Sequence, residues 1–468
     1  MDELIRMTAR QAVDALREGT VSPLELIDAA EARIAAVDGA INALPTRCYD
    51  RARAHAGRLM ALPVAERGPL AGLPFAVKDL SNVAGVRSTQ GSPIYAEAVP
   101  ERSDIMVETL ERRGGIVIAK SNTPEFGAGA NTFNEVFGKT RNPWNTELTC
   151  GGSSGGAAAA LAAGEVWLAT GSDLGGSVRI PAGFCSVVGL RPGPGRIASG
   201  PSPMPFADQS VMGPLARTVG DVALMFDAML GAHAQDPRSF DPPARPFLAA
   251  VDEPVAPRRI AFSPDLGITP VERETAEICA AAADRFAEMG ATVEHACPDF
   301  SGAIETFQTL RAARFAASMA PLLESHRDQL KPEIIWNIEA GLALSADDIG
   351  KAERDRAALF HRVAAFFDEY DLLLCPTTAV PPFDVDIRYL TEIGGVEFDN
   401  YVHWLAITFV LTLTSCPVLS VPCGFTKAGL PVGLQIAGPP RAEAAVLSAG
   451  ALFEAIAGVA DRVPIDPR

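Results

Sequence analysis

Residues 151–179 read GGSSGGAAAALAAGEVWLATGSDLGGSVR, two glycine-rich motifs joined by an alanine-rich segment. Between Gly151 and Ser177 there are eight glycines in 27 residues, whereas average usage of about 7 % would give about two. Because glycine has no side chain, such a backbone lets a reacting group approach closely. The alanine-rich segment, residues 157–163, is a strong helix former with small side chains and predicts a buried helix between the motifs.

Outward from this stretch, short apolar runs alternate with helical segments. Residues 75–77 and 116–119 read as strands, and a helix that ends at Gly114-Gly115 separates them. Alternation of strands with helices favours an α/β protein built on a sheet.

Two further segments are predicted to be mostly helical. Residues 1–60 contain the capping sequences Thr8-x-x-Gln11 and Ser22-Pro23-Leu24-Glu25, which mark helix starts. Residues 300–370 are predicted to form a mostly helical insertion. We expect one domain over residues 1–468 that carries both segments.

The composition disfavours several classes of partner. The 57 acidic residues outnumber 40 Lys and Arg, for a formal charge of −17, which disfavours binding to nucleic acid or to an anionic membrane. The N-terminus lacks the features of a signal peptide, which predicts a cytoplasmic protein. Residues 404–426 carry no charge, but Pro417 and Pro422 favour a buried helix followed by a buried strand over a membrane span. The oligomeric state, a homodimer included, stays open.

Three polar residues in this framework are suited to acyl transfer. Lys78 ends a buried apolar run, where desolvation lowers the pKa of a lysine toward that of a neutral amine base. Ser153 and Ser177 supply hydroxyl groups, and the glycine-rich backbone leaves N–H groups free to bind an oxyanion. The six histidines lie outside both motifs and lack metal-ligand spacing. The sequence therefore predicts no metal site and no cofactor.

These motifs, in this order, resemble those of the amidase signature family. The matching segments are PFAVKD at 74–79, GGSSGG at 151–156 and GSDLGGSVR at 171–179, with further matches at 141–144, 375–377 and 429–433. The resemblance implies a large mixed β-sheet core covered by helices on both faces. It also implies hydrolysis of a non-peptide carboxamide C–N bond in a small molecule, which yields a carboxylate and ammonia or an amine.

The resemblance assigns a role to each matching residue. Ser177 would be the nucleophile that forms an acyl-enzyme, Ser153 a proton bridge on an unusual cis peptide, and Lys78 the base. The remaining assignments are Ser154, Asp173 and Arg179 as supporting residues, and the backbone N–H groups of Leu174, Gly175, Gly176 and Ser177 as the oxyanion hole.

This chain departs from the family pattern in one loop. Family members commonly have Asn-x-Thr-Gly before the proline of a late strand, whereas this chain has Thr412-Leu413-Thr414-Ser415 before Cys416-Pro417. The resemblance therefore does not settle the backbone shape of that loop.

Three alternatives stay open at this point. A glutaminase subunit of a transamidation complex that acts on misacylated transfer RNA would use the same residues, with glutamine as donor. A non-catalytic protein would use the glycine-rich loops only to bind a ligand. Taken alone, Lys78 next to Asp79 also fits a solvated ion pair at a strand end.

Overall fold

The computed structural model describes residues 2–468. Within these residues the α-helices, numbered α1–α15 in chain order, are Glu3–Arg6, Ala9–Glu18, Pro23–Ile41, Tyr49–Met60, Ile105–Arg112, Gly155–Ala163, Arg179–Cys185, Val219–Met229, Leu248–Asp252, Arg273–Asp284, Ala303–His326, Pro332–Leu342, Ala346–Phe366, Ala406–Thr412 and Glu443–Ala457. The β-strands, numbered β1–β17, are Thr46–Arg47, Pro74–Lys78, Ile116–Ser121, Phe133–Asn134, Gly138–Lys139, Arg141–Asn142, Asn145–Thr149, Leu168–Asp173, Val188–Arg191, Val211–Ala216, Arg259–Phe262, Thr292–His295, Leu372–Pro376, Glu392–Ile393, Val396–Glu397, Val418–Phe425 and Pro431–Ala437.

Eleven of these strands join in one mixed sheet, in the order β1-β3-β2-β8-β10-β9-β16-β17-β13-β11-β12. Strand β2 is parallel to β3 and β8, and β11 is parallel to β12 and β13. The other pairs in the sheet are antiparallel. Helices α6, α7 and α8 pack against β8, β17 and β10 respectively. The α/β class with a large mixed sheet, predicted above, is confirmed.

Helix α6 lies inside the molecule, and every one of its residues is buried. A side chain on Gly156 would place its Cβ 2.4 Å from the backbone N of Asn122, so only glycine allows this approach. Burial of the alanine-rich helix was predicted from its composition and is confirmed. The residues just before α6 lie next to Lys78 at the end of β2.

Helices α1–α4 occupy the first sixty residues, and α11–α13 occupy much of the segment 303–366. Capping boxes begin α2 at Thr8 and α3 at Ser22, as predicted. Helix α14 and strand β16 occupy the uncharged stretch, so the predicted buried helix and strand are confirmed. Among residues 2–468, none of the helices has the length and apolar character that crossing a membrane requires.

The loop between α14 and β16 contains a residue in the left-handed backbone region. Ser415 has a φ of 58° and stands where the family pattern has glycine. A left-handed non-glycine residue costs about 1–2 kcal/mol, and the extra freedom of an unfolded glycine returns about 0.5–1 kcal/mol of that. Ser415→Gly is therefore expected to raise the free energy of unfolding by about 0.5–1 kcal/mol, measured by urea denaturation.

A matched control for this prediction is Ser325→Gly. Ser325 is exposed in the last turn of α11, where glycine should lower the stability by about 0.5 kcal/mol. A loss of stability in Ser415→Gly would show that the loop does not need a left-handed residue.

Candidate functional site

Lys78 lies at the end of β2, where its side chain is fully buried. Its Nζ atom is 2.7 Å from Ser153 Oγ, 2.9 Å from Ser154 Oγ and 3.1 Å from Ser172 Oγ. Its backbone N–H donates to Thr170 Oγ1 at 3.0 Å, which ties the end of β2 to β8. Three of the predicted site residues thus meet at one point, together with Ser172, which the sequence analysis did not select.

The environment of Lys78 favours the neutral amine. Burial lowers its pKa to about 7, and the negative charge of Asp173 opposes that shift only in part. Asp79 does not pair with it, because the Asp79 carboxylate accepts a hydrogen bond from Lys120 Nζ at 2.8 Å. The alternative of a solvated Lys78–Asp79 ion pair is therefore wrong.

Ser153 and Ser154 directly precede α6, and the peptide bond between Gly152 and Ser153 is cis. The Ser154 N–H donates to the backbone carbonyl of Ser177 at 3.0 Å, which links the two glycine-rich motifs. The hydrogen bonds of the Lys78 amine reach both Ser153 and Ser154 but do not include Ser177. Ser177 and Ser153 instead line the same cavity.

The turn between β8 and α7 carries Ser177, and Asp173 holds its shape. The carboxylate of Asp173 accepts hydrogen bonds from the backbone N–H of Gly176 at 2.9 Å and of Val178 at 3.2 Å. Gly176 has a φ of 113°, and a Cβ there would lie 2.5 Å from Thr408 Oγ1. The Thr408 hydroxyl donates to the Gly175 carbonyl at 2.7 Å, so α14 also fixes the turn.

Asp173 is fully buried between two buried arginines. Arg179 donates to it from Nε at 3.1 Å and from Nη2 at 3.0 Å, and Arg191 Nη1 lies 3.3 Å from Oδ1. Burial alone would raise the pKa of Asp173, but the charges of Arg179 and then Arg191 outweigh it and hold that pKa well below its usual range. Arg179 also donates to Gln435 Oε1 at 2.7 Å. The predicted supporting pair is therefore part of a larger charged network.

The sequence analysis missed several residues of this site. Arg191 and Gln435 are both fully buried within apolar strands. A charged or amide side chain in such a strand is a signal, because a buried polar group needs a partner. Thr408 gave no comparable signal, since threonine is common in buried segments.

A cavity of about 410 Å³ opens over the turn, with Ser153, Ser172, Leu174 and Ser177 in its wall. Its other walls contain apolar residues and charged residues. The apolar group includes Phe126, Met212, Phe315 and Met319, and the charged group is Asp104, Asp236, Arg238, Arg311 and Arg314. Among residues 2–468, no three His, Cys, Asp or Glu side chains cluster closely enough to hold a metal ion.

Known proteins resemble this chain over nearly its whole length. The family described as Amidase matches residues 25–447. An acylamidase of Rhodococcus erythropolis is 35 % identical over 465 residues, which cover 98 % of this chain and 97 % of that protein. A glutamyl-tRNA(Gln) amidotransferase subunit from Moorella thermoacetica is 34 % identical over an alignment of 478 residues, gaps included, which covers 97 % of each chain. The crystal structure of a bacterial aryl acylamidase of the amidase signature enzymes superimposes with a TM-score of 0.91 at 29 % identity, covering 97 % of each chain.

Proposed function

The chain belongs to the amidase signature family and is an amide-hydrolysing enzyme, and on this basis we propose that Ser177 attacks the amide carbonyl carbon to form an acyl-enzyme. One observation carries the proposal: a fully buried lysine contacts three serine hydroxyl groups and has its pKa lowered to about 7. A lysine in such surroundings acts as a base, which a serine nucleophile requires.

The proposed proton path runs from Ser177 through Ser153 to Lys78. As Ser177 Oγ bonds to the carbonyl carbon, its proton passes to Ser153 Oγ, which gives its own proton to the neutral Lys78 amine. When the C–N bond breaks, the leaving nitrogen takes a proton back along this path. Water then attacks the ester in a second cycle, which releases the carboxylate and restores Ser177.

We assign the oxyanion hole to the backbone N–H groups of Leu174, Gly175 and Ser177. The N–H of Gly176, which the family resemblance included, already donates to Asp173 and serves to hold the turn. Asp173 and Arg179 would position these donors without touching the substrate. A donor aimed at the oxyanion typically contributes about 10²–10³-fold to kcat.

The activity is expected to depend on pH through Lys78. Because the neutral amine is the active form, kcat/KM should rise with pH, by about tenfold per unit well below the pKa, and level off above it. With a pKa of about 7, the midpoint lies near neutrality. Steady-state kinetics on a neutral anilide between pH 5 and pH 9 checks this expectation. A flat profile, or a rise confined to the alkaline end, would rule out a titrating Lys78 of this pKa.

The experiment that tests the nucleophile is labelling with a serine-reactive fluorophosphonate, followed by peptide mass spectrometry. The expected adduct is on Ser177, and it should be absent from Ser177→Ala and strongly reduced in Lys78→Ala. Ser210 lines the same cavity outside both motifs, so Ser210→Ala is the matched control and should label normally. An adduct on Ser153 would reverse the proposed roles of the two serines, and no adduct on any serine would overturn Ser177 as the nucleophile.

A second candidate function is that of a glutaminase subunit. The 34 % identity to a glutamyl-tRNA(Gln) amidotransferase subunit over nearly the full chain favours it. The chemistry at Ser177 would be the same, with glutamine as donor and ammonia passed to partner subunits. A strong preference for glutamine over other amides, or copurification with partner subunits, would distinguish this function from that of a free-standing amidase.

A further inference from the structure

Three arginines line the cavity that contains Ser177, and we call them the arginine cluster: Arg238, Arg311 and Arg314. Arg311 and Arg314 lie three residues apart on α11, a spacing that puts both on one face of a helix. Arg238 comes from the connection between α8 and α9, a separate part of the chain. Two independent segments thus bring guanidinium groups to one cavity.

The side-chain hydrogen bonds of the arginine cluster go to neutral groups. Arg311 donates to Asn337 Oδ1 and, at 2.7 Å, to Tyr401 Oη, and Arg238 Nε donates to the Pro205 carbonyl at 3.0 Å. Among residues 2–468, no group accepts a hydrogen bond from the buried Nη1 atoms of Arg238 and Arg314. In the part of the chain that the structure describes, neither Arg311 nor Arg314 forms an ion pair with a carboxylate.

The nearby carboxylates are already engaged. The charge of Asp208 acts on Arg314. Both carboxylate oxygens of Asp208, however, accept hydrogen bonds from the Arg356 guanidinium, at 3.0 and 2.7 Å. Asp236 lies 4.0 Å from Arg238 Nε and accepts hydrogen bonds from the backbone N–H groups of Ser199 and Arg238.

The remaining acidic residue in the cavity wall is Asp104, and burial raises its pKa to about 6. The cavity therefore has an excess of positive charge in a chain whose net charge is −17.

Arg238 has only a long ion pair with Asp236, and Arg314 has none among residues 2–468, which destabilises the charged form of these side chains. Burial, and then the charges of Arg238 and Arg311, lower the pKa of Arg314 below its ordinary value. A buried guanidinium that has lost water and has no anion is destabilising, and a planar carboxylate is the group that best fits its N–H donors. Arg238 and Arg314 both line the cavity, so an anion bound there would supply the negative charge that these guanidinium groups lack.

We propose that the substrate carries a carboxylate group, which Arg238 and Arg314 bind while the amide carbonyl reacts at Ser177. This inference rests on the proposed function, because it places the reacting carbonyl at Ser177. Two aromatic rings hold Arg311 in place: its guanidinium lies 4.5 Å from the centre of the Phe315 ring and 5.4 Å from that of Tyr401. Phe126, Met212 and Phe315 leave an apolar space for the part of the substrate between the amide and the carboxylate.

The test measures binding rather than turnover, so that it does not depend on the identity of the nucleophile. Two pairs of compounds are titrated calorimetrically into Ser177→Ala. In the first pair, N-phenylglutaramate carries a carboxylate on the acyl side of the amide and N-phenylpentanamide is its neutral analogue. In the second pair, 4-acetamidobenzoate carries the carboxylate on the amine side and acetanilide is its neutral analogue. Hydrogen bonds to a charged group predict that the carboxylate of at least one pair binds about 10- to 100-fold more tightly than its neutral analogue.

Arginine variants in the same background complete the test. Arg314→Gln is expected to reduce this preference to less than about threefold, since it removes the positive charge. Arg238→Gln should also weaken the preference for the carboxylate over its neutral analogue. Because Arg238 lies outside α11, this variant tests the proposal even if substitutions in α11 disturb folding. Arg354 is exposed on α13, and Arg354→Gln should keep the full preference.

Two results would overturn this inference. One is equal binding of carboxylate and neutral analogue in both pairs, and the other is a preference that survives in both Arg314→Gln and Arg238→Gln. Failure of fluorophosphonate labelling at Ser177 would instead overturn the proposed nucleophile. The two proposals are therefore tested separately.

Discussion

Lys78→Met is expected to lower kcat by about 10²–10⁴-fold, the usual contribution of a general base. Methionine nearly preserves the volume of the buried side chain but removes the amine that accepts the proton from Ser153. Lys78 contacts hydroxyl groups rather than a carboxylate, so the substitution leaves no unpaired charge in the interior. The variant should therefore keep its far-ultraviolet circular dichroism spectrum, and kcat is measured by steady-state hydrolysis of an anilide.

The matched control is Lys351→Met. Lys351 is exposed on α13 and pairs with Asp355 one turn away, a type of surface ion pair that contributes about 0.3–0.5 kcal/mol to stability. This control should retain the wild-type kcat. A wild-type rate in Lys78→Met would exclude the proton path through Ser153.

Asp173→Asn is expected to lower the free energy of unfolding by about 3–5 kcal/mol, the range found when a buried ion pair loses one partner. The substitution leaves Arg179 and Arg191 buried without their shared anion. It also gives the backbone N–H groups of Gly176 and Val178 one carbonyl oxygen where they now have two. Urea denaturation at neutral pH measures the loss, and the amidase activity of the folded fraction should fall as the turn loosens.

Acid pH provides an internal check on this prediction. The folded pKa of Asp173 lies below its ordinary value of 3.8, so the carboxylate contributes stability that is fully present above that value. The contribution is lost as the pH falls toward the folded pKa. The difference between wild type and Asp173→Asn should therefore narrow below about pH 4.

A surface carboxylate serves as the control for Asp173. Asp252 forms an ion pair with Arg10 in which both side chains are about half exposed, and such pairs contribute about 0–1 kcal/mol. Asp252→Asn should stay within that range. An equally small effect in Asp173→Asn would show that the two arginines do not depend on its charge.

Short sequence motifs predicted the family and several elements of the fold. The resemblance to the amidase signature family, drawn from Lys78 and the two glycine-rich segments, is confirmed by the match over residues 25–447. The α/β class, the buried helix α6 and the capping boxes of α2 and α3 followed from local patterns and are confirmed. Local patterns suffice there because each depends on residues within a few positions of one another.

The aromatic residues between positions 307 and 409 show what local sequence patterns do not predict. The sequence alone leaves open whether each of five such residues lines a pocket or packs in the core, namely Phe307, Phe315, Trp336, Trp404 and Phe409. Phe315 lines the cavity, whereas Phe307 and Phe409 stack on each other in the core, with ring centres 4.2 Å apart. An aromatic side chain has the same composition and periodicity in both settings, so only the packing of distant helices separates them.

The order of residues along the chain was enough to indicate the chemistry of this protein: a lysine after a buried strand, two serines in glycine-rich motifs, and therefore the family and its reaction. The electrostatic environment of the lysine and the serines depends on the tertiary structure. Three contacts join residues from different elements: Ser172 lies beside Lys78, Arg191 lies beside Asp173, and the arginine cluster lines the cavity that contains Ser177. Burial and unpaired charge arise only when the sheet and helices close around them, because desolvation is a property of the folded surroundings and not of the residue.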